Sequence, residues 1–110
     1  MSRRVGKTLI SAKTSQNEAG YLDVSEMAQI TELGFHVEFS SGSAAGQVLI
    51  ETASSVDYAG TWAILATVNW AAASKSHYVA ITGAARVLRA RISTAITTGT
   101  VDVFMVGNIT

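Results

Sequence analysis

Cysteine and proline are both missing from this chain of 110 residues. Without cysteine there is no disulfide, no thiol nucleophile and no thiolate metal ligand, so stability has to come from packing or from association of subunits. Without proline, exposed strand edges lose one common guard against unwanted pairing, which favours edges covered by a neighbouring subunit. Aromatic residues make up only 7% of the chain, a thin supply for a sugar-binding face built on several stacked rings. An excess of one charge is lacking too. Eight basic and eight acidic residues cancel and the pI is about 6.7, so composition gives no reason to expect direct nucleic-acid binding. No apolar run approaches the roughly 18 residues that cross a bilayer, and the opening MSRRVGKTLISAK has no signal-peptide core. These two absences lead to the expectation of a protein made in a cytoplasm, with no membrane partner.

What remains is a hydrophobic fraction of 48%, which excludes disorder, in a length suited to one compact domain. Val, Ile and Thr supply 31 of the residues, the β-branched enrichment typical of strands. Alternation of apolar and polar residues marks the strands themselves, because a period of two sends successive side chains to opposite faces. Leu33, Phe35, Val37 and Phe39 share one parity, as do Val48 and Ile50, and Leu88, Ala90 and Ile92. Trp62, Ile64, Ala66, Val68 and Trp70 form another such row, with Trp62 expected between two sheets. Shorter runs at Thr8–Ala12, Tyr21–Val24, His77–Thr82 and Val101–Val106 bring the count to seven or eight strands, joined by loops rich in Ser, Gly, Ala and Thr. Ser25–Ile30 reads as a loop with slight helical character. The fold class is all-β, an antiparallel β-sandwich or jelly roll. Trp62, Phe35, Phe39, Leu88 and Ile92 are its expected core anchors.

The domain organisation follows from charge. Residues 1–13 hold Arg3, Arg4, Lys7 and Lys13 with no acid, and read as an N-terminal arm leading into the first strand; residues 14–110 read as a single sandwich domain. Residues 14–57 carry seven acids and no base. Such an arm is expected to be ordered where a partner repays the entropy of fixing it. Around Thr97-Thr98-Gly99-Thr100, the runs ending at Ile92 and starting at Val101 read as a β-hairpin, with Asp102 facing the arginine row. Arg89 and Arg91 share a face, and Arg86 has the opposite parity. Two readings of the pair stand side by side: an ordinary polar outer face, or a subunit contact using the planar fork of arginine. Phe104 and Tyr78 lie on the parity opposite their strands' main apolar rows, suited to covering an interface or packing under a loop.

Chemistry is sparse. His36 and His77 have no HxH, HxxxH or clustered carboxylates beside them, so no metal site and no cofactor is expected. There is no Gly-x-Ser-x-Gly elbow and no phosphate-cradling glycine loop. Glu38 and Glu51, on neighbouring candidate strands, have the residue types of a glycosidase pair, but a solvated sheet face yields the same pattern. The chain is not expected to be an enzyme.

Val48-Leu49-Ile50-Glu51, the Tyr58-Ala59-Gly60-Thr61-Trp62 turn, Ala85–Ile92 with its Ala-Arg-x-x-Arg-x-Arg core, and Thr98-Gly99-Thr100-Val101 together resemble a pattern of tailed-bacteriophage structural proteins. The resemblance covers residues 47–106 and departs from the pattern at Thr52–Ser55, where glycine and serine are usual. It implies a capsid decoration or cement protein of the virion: a symmetric oligomer, most often a homotrimer, on the capsid surface with the major capsid protein as partner. Arg3, Arg4, Lys7, Arg89, Arg91 and Phe104 are then the candidate oligomer or capsid contacts. A carbohydrate-binding, fibre or baseplate β-sandwich is the alternative, with Trp70, Tyr58 and Tyr78 as candidate sugar platforms.

Overall fold

The computed structural model describes residues 3–23, 30–81 and 87–109. These form eight strands: β1 (Arg3–Lys13), β2 (Ala19–Asp23), β3 (Ile30–Phe39), β4 (Ala45–Ala53), β5 (Ala63–Asn69), β6 (Ser76–Ile81), β7 (Val87–Thr97) and β8 (Val101–Ile109). They are shared between two four-stranded antiparallel sheets, sheet 1 in the order β1-β8-β3-β6 and sheet 2 in the order β2-β7-β4-β5. Strand 1 pairs with 8, 2 with 7, 3 with 6 and 4 with 5, the nested pairing of a jelly roll. The expected all-β sandwich is therefore the fold.

This nesting makes every connection except β4–β5 pass from one sheet to the other. The β7–β8 segment, read from the sequence as a hairpin, is such a crossing. Its strands belong to different sheets, and the linking residues are held instead to the β3–β4 loop: Thr98 Oγ1 donates to the Gly42 carbonyl at 2.8 Å, and the Thr100 amide donates to Ser40 Oγ at 3.0 Å. Glu38 and Glu51 are likewise separated, on β3 of sheet 1 and β4 of sheet 2, so they form no catalytic pair. The Ser25–Ile30 loop lies almost wholly outside the described residues.

Strand β1 begins at Arg3, not at Thr8. Its backbone pairs with β8 from Arg3 opposite Ile109 to Lys13 opposite Val101, with two irregularities between Thr8 and Lys13. The segment expected to be an arm is thus an edge strand of sheet 1. At the second irregularity Ala12 takes a positive φ of 50°, and its amide donates to Asp102 Oδ1 at 2.8 Å. Asp102 consequently serves β1 and stands in the sheet opposite to the arginine row it was expected to face.

The core lies between the sheets. Phe35, Val37 and Phe39 from β3 and Val101, Val103 and Met105 from β8 meet Val48 and Ile50 from β4 and Leu88, Ala90 and Ile92 from β7. Burying one of these large side chains contributes roughly 1.5–3 kcal/mol by removing apolar surface from water. Gly20 in β2 allows close approach of the two sheets' edges, since a Cβ there would collide with the backbone of Leu9 in β1. Backbone cannot swing aside as a side chain can. Gly20→Ala is expected to cost about 1–3 kcal/mol, read as a lower urea midpoint with unchanged slope; a variant as stable as the parent would show that β1 and β2 can separate freely.

Candidate interaction surface

The sandwich has two outer faces, and the chain treats them differently. On sheet 2, residues of outward parity meet in a row formed by Tyr21, Arg89, Glu51 and Ile64 on adjacent strands. Glu51 ends the run Val48–Ile50 and is itself buried. Its carboxylate accepts from both arginines: Arg89 Nε at 2.9 Å and Arg91 Nε at 3.0 Å reach Oε1, while Arg91 Nη2 reaches Oε2 at 3.2 Å. Arg91 Nη1 donates onward to Asn17 Oδ1 at 3.1 Å. Burial alone would raise the Glu51 pKa, but the hydrogen bonds and positive charge of Arg91 and Arg89 outweigh it and hold the carboxyl below its ordinary value.

Trp62 closes this cluster. Its ring centroid is 4.1 Å from Arg89 Cζ and 5.9 Å from the Tyr21 ring, and its Nε1 donates to the Tyr58 carbonyl at 3.0 Å. At 5% exposure Trp62 is buried, but over the outer face of sheet 2 and apart from the core between the sheets. The cause is a bulge in β5. Ile50 pairs with Ala66 and Glu51 with Ile64, which leaves Leu65 as an extra residue and reverses the parity of everything before it. Ala66, Val68 and Trp70 therefore pack on the core, whereas Ile64 faces outward and Trp62 folds over the arginines.

Sheet 1 carries no such cover among the described residues. Across its outward parity, Tyr78 on β6 pairs with His36 on β3, His36 with Phe104 on β8, and Phe104 with Thr8 on β1. The Tyr78 and His36 rings are 4.9 Å apart. The neighbouring row is Ala80, Gly34, Val106 and Gly6. Both aromatic rings lean onto its glycines: a Cβ on Gly34 would strike the Tyr78 ring, and one on Gly6 the Phe104 ring. Glycine here lets the rings lie along the sheet, and they stay open to solvent, Tyr78 at 57% and Phe104 at 40% exposure.

The residues proposed from sequence are therefore scattered. Phe35, Phe39, Leu88 and Ile92 are buried together between the sheets, and Trp62 is buried elsewhere. Arg89 and Arg91 lie on the outer face of sheet 2, where Glu51 of the same chain holds them. Lys7 donates to the Tyr21 carbonyl at 3.1 Å, bridging β1 to β2. Arg3 and Arg4 are placed by backbone only, in β1, and Arg86 is outside the described residues. Of the candidate contacts with a described side chain, Phe104 is the one on an open face. The three sugar-platform candidates do not share a surface: Trp70 packs against the core and donates from Nε1 to Ser43 Oγ at 2.9 Å, Tyr58 is in the β4–β5 loop, and Tyr78 is on sheet 1. His77 has inward parity beside Phe39, and its Nε2 is buried with no hydrogen-bond partner among the described residues.

No protein-family model matches this chain, and none of the curated proteins matches it. Among solved structures it is similar to the SPBc2 prophage-derived protein YomS, with a TM-score of 0.71 over 98% of this chain and 95% of that one, at 14% sequence identity. At that identity the similarity is one of fold.

Proposed function

We propose that this protein is a phage virion protein that decorates and stabilises the capsid, acting as a homo-oligomer, most simply a trimer, bound to the major capsid protein. The observation that carries the reading is the asymmetry of the two outer faces. On one, Trp62 folds over the Glu51 cluster and leaves Tyr21 and Ile64 exposed beside it; the other keeps Tyr78 and Phe104 open on a glycine-lined surface with no such cover among the described residues. Exposed aromatic surface of this kind marks a contact site more often than it marks an ordinary monomer surface. The full-length fold similarity to a prophage-derived protein and the phage-type motifs in residues 47–106 agree with that role.

Shells of the encoding virus assembled without this protein should bind it from solution and gain resistance to heat or dilution. Light scattering of the free protein should give a multiple of the 11.5 kDa chain mass. Shells that neither bind the protein nor gain stability would reject the proposal. A second reading, a carbohydrate-binding module of a phage fibre or baseplate, is favoured by one feature, the pair of open rings on sheet 1. Glycan binding by the free protein without shell binding would select it.

A further inference from the structure

The two open rings stand in an electrostatic setting that points to a particular kind of partner. Glu38 and Asp102 are directly opposed on β3 and β8, both exposed and both of outward parity, and Glu32 stands on the same face beside Asn108. Opposed like charges on adjacent strands destabilise a sheet. Asp102 is engaged by the Ala12 amide, whereas Glu38 has no hydrogen-bond or ion-pair partner among the described residues. Register places one cation, Arg4, on the outward parity of sheet 1, in the row of Asn108 and Glu32, whereas among the described residues the rows of Glu38 and Asp102 hold no lysine or arginine of that parity. The face thus has an aromatic and glycine-lined centre with an acidic border at its Glu38–Asp102 end. Packing two such faces together would bring the borders into repulsion, so charge argues against a second copy here and for a cationic partner.

We infer that the outer face of sheet 1 is the docking surface, and that it receives a basic protein surface with an apolar centre. The inference rests on the proposed function in identifying that surface with the capsid lattice, but the face and the charge of its partner follow from the geometry alone. Four strands at the usual spacing, and strands of nine to eleven residues in β1, β3 and β8, give a face of roughly 20 by 30 Å. That suits one side of a modest interface, which becomes tight when several copies bind one lattice together. Tyr78 and Phe104 would enter the partner's apolar centre, and Glu38, Asp102 and Glu32 would meet its cations.

Three measurements on the full chain test this. Glu38→Gln should raise the melting temperature of the free protein by roughly 1–5 °C by relieving the opposed charges, yet weaken binding to shells. Tyr78→Ser, Phe104→Ser and Glu38→Lys should each weaken shell binding about tenfold or more, while Thr67→Lys on sheet 2 leaves it unchanged, and raising salt from about 0.05 to 0.5 M should weaken it in parallel. Finally, in an NMR titration with a soluble lysine–leucine amphipathic peptide, shifts should concentrate at the outward positions of β3, β6 and β8.

Wild-type shell binding that survives all three sheet 1 substitutions would overturn the docking surface while leaving the proposed function standing. If shells fail to bind but the peptide still maps to sheet 1, the capsid role falls and the acidic docking face stands. Shifts produced by chitotetraose and not by the peptide would overturn the inference in favour of a glycan site.

Discussion

Trp62→Ala is expected to lower the melting temperature by roughly 15–25 °C, corresponding to a loss of about 3–5 kcal/mol. The indole is almost completely buried, and removal of a side chain of that size exposes apolar area worth about 25 cal/mol per Å². Two specific contacts go with it: the stacking on Arg89 and the hydrogen bond to the Tyr58 carbonyl. The second of these fixes the β4–β5 loop, so loss of the ring also loosens that loop. Because the ring covers the Glu51–Arg89 pair and does not lie between the sheets, its energy should be coupled to that pair. Trp62→Ala combined with Arg89→Met should cost about 1 kcal/mol less than the sum of the two single changes. Additive single costs, or a wild-type melting curve for Trp62→Ala, would contradict the placement.

The sequence made the strands legible and left their partners obscure, and the reason is geometric. Alternation at Leu33–Phe39 or Leu88–Ile92 reports which side of a strand is buried, since that depends on neighbouring residues alone. Which strand lies alongside is decided by contacts distant along the chain. The residues from Ile96 to Thr100 are compatible with turning back in one sheet or with crossing to the other, so local sequence does not distinguish a β7–β8 hairpin from the crossing that the fold contains. The counter-ion of the arginine pair was hidden for the same reason. It is Glu51, 38 and 40 residues away from Arg89 and Arg91, beyond any local pattern. A signal did exist: a carboxylate directly continuing the apolar run Val48–Ile50 needs a buried partner, and the chain has few cations to offer. Trp62 was misplaced by a single residue, because the bulge at Leu65 interrupts the period of two that the row from Trp62 to Trp70 implied. Tyr78 and Phe104 were visible as residues of the wrong parity, but the glycines beneath them belong to other strands and could be connected to them only in the folded sheet.

Glu51→Gln is expected to cost about 2–3 kcal/mol, because it removes the one negative charge that two partly buried guanidinium groups share. The estimate sits below that for a fully buried pair since Arg89 and Arg91 retain some contact with water. Replacing the whole cluster should be gentler than breaking it. A triple change of Glu51→Leu, Arg89→Met and Arg91→Met removes all three charges together and should fall within about 1 kcal/mol of the parent, provided Trp62 still packs over the new side chains. Acid supplies an independent check on the same carboxylate. Its folded-state pKa is depressed below the ordinary 4.5, so the folded protein releases this proton more readily than the unfolded chain does. The stabilisation is therefore fully present above about pH 4.5 and is lost as pH falls through the lower folded-state value. Unfolding midpoints measured from pH 7 downward should show a constant gap between wild type and Glu51→Gln until that window, where the gap narrows. A gap that stays constant to the lowest pH at which both fold, or that widens as acid is added, would mean that the arginines do not stabilise the ionised form of Glu51.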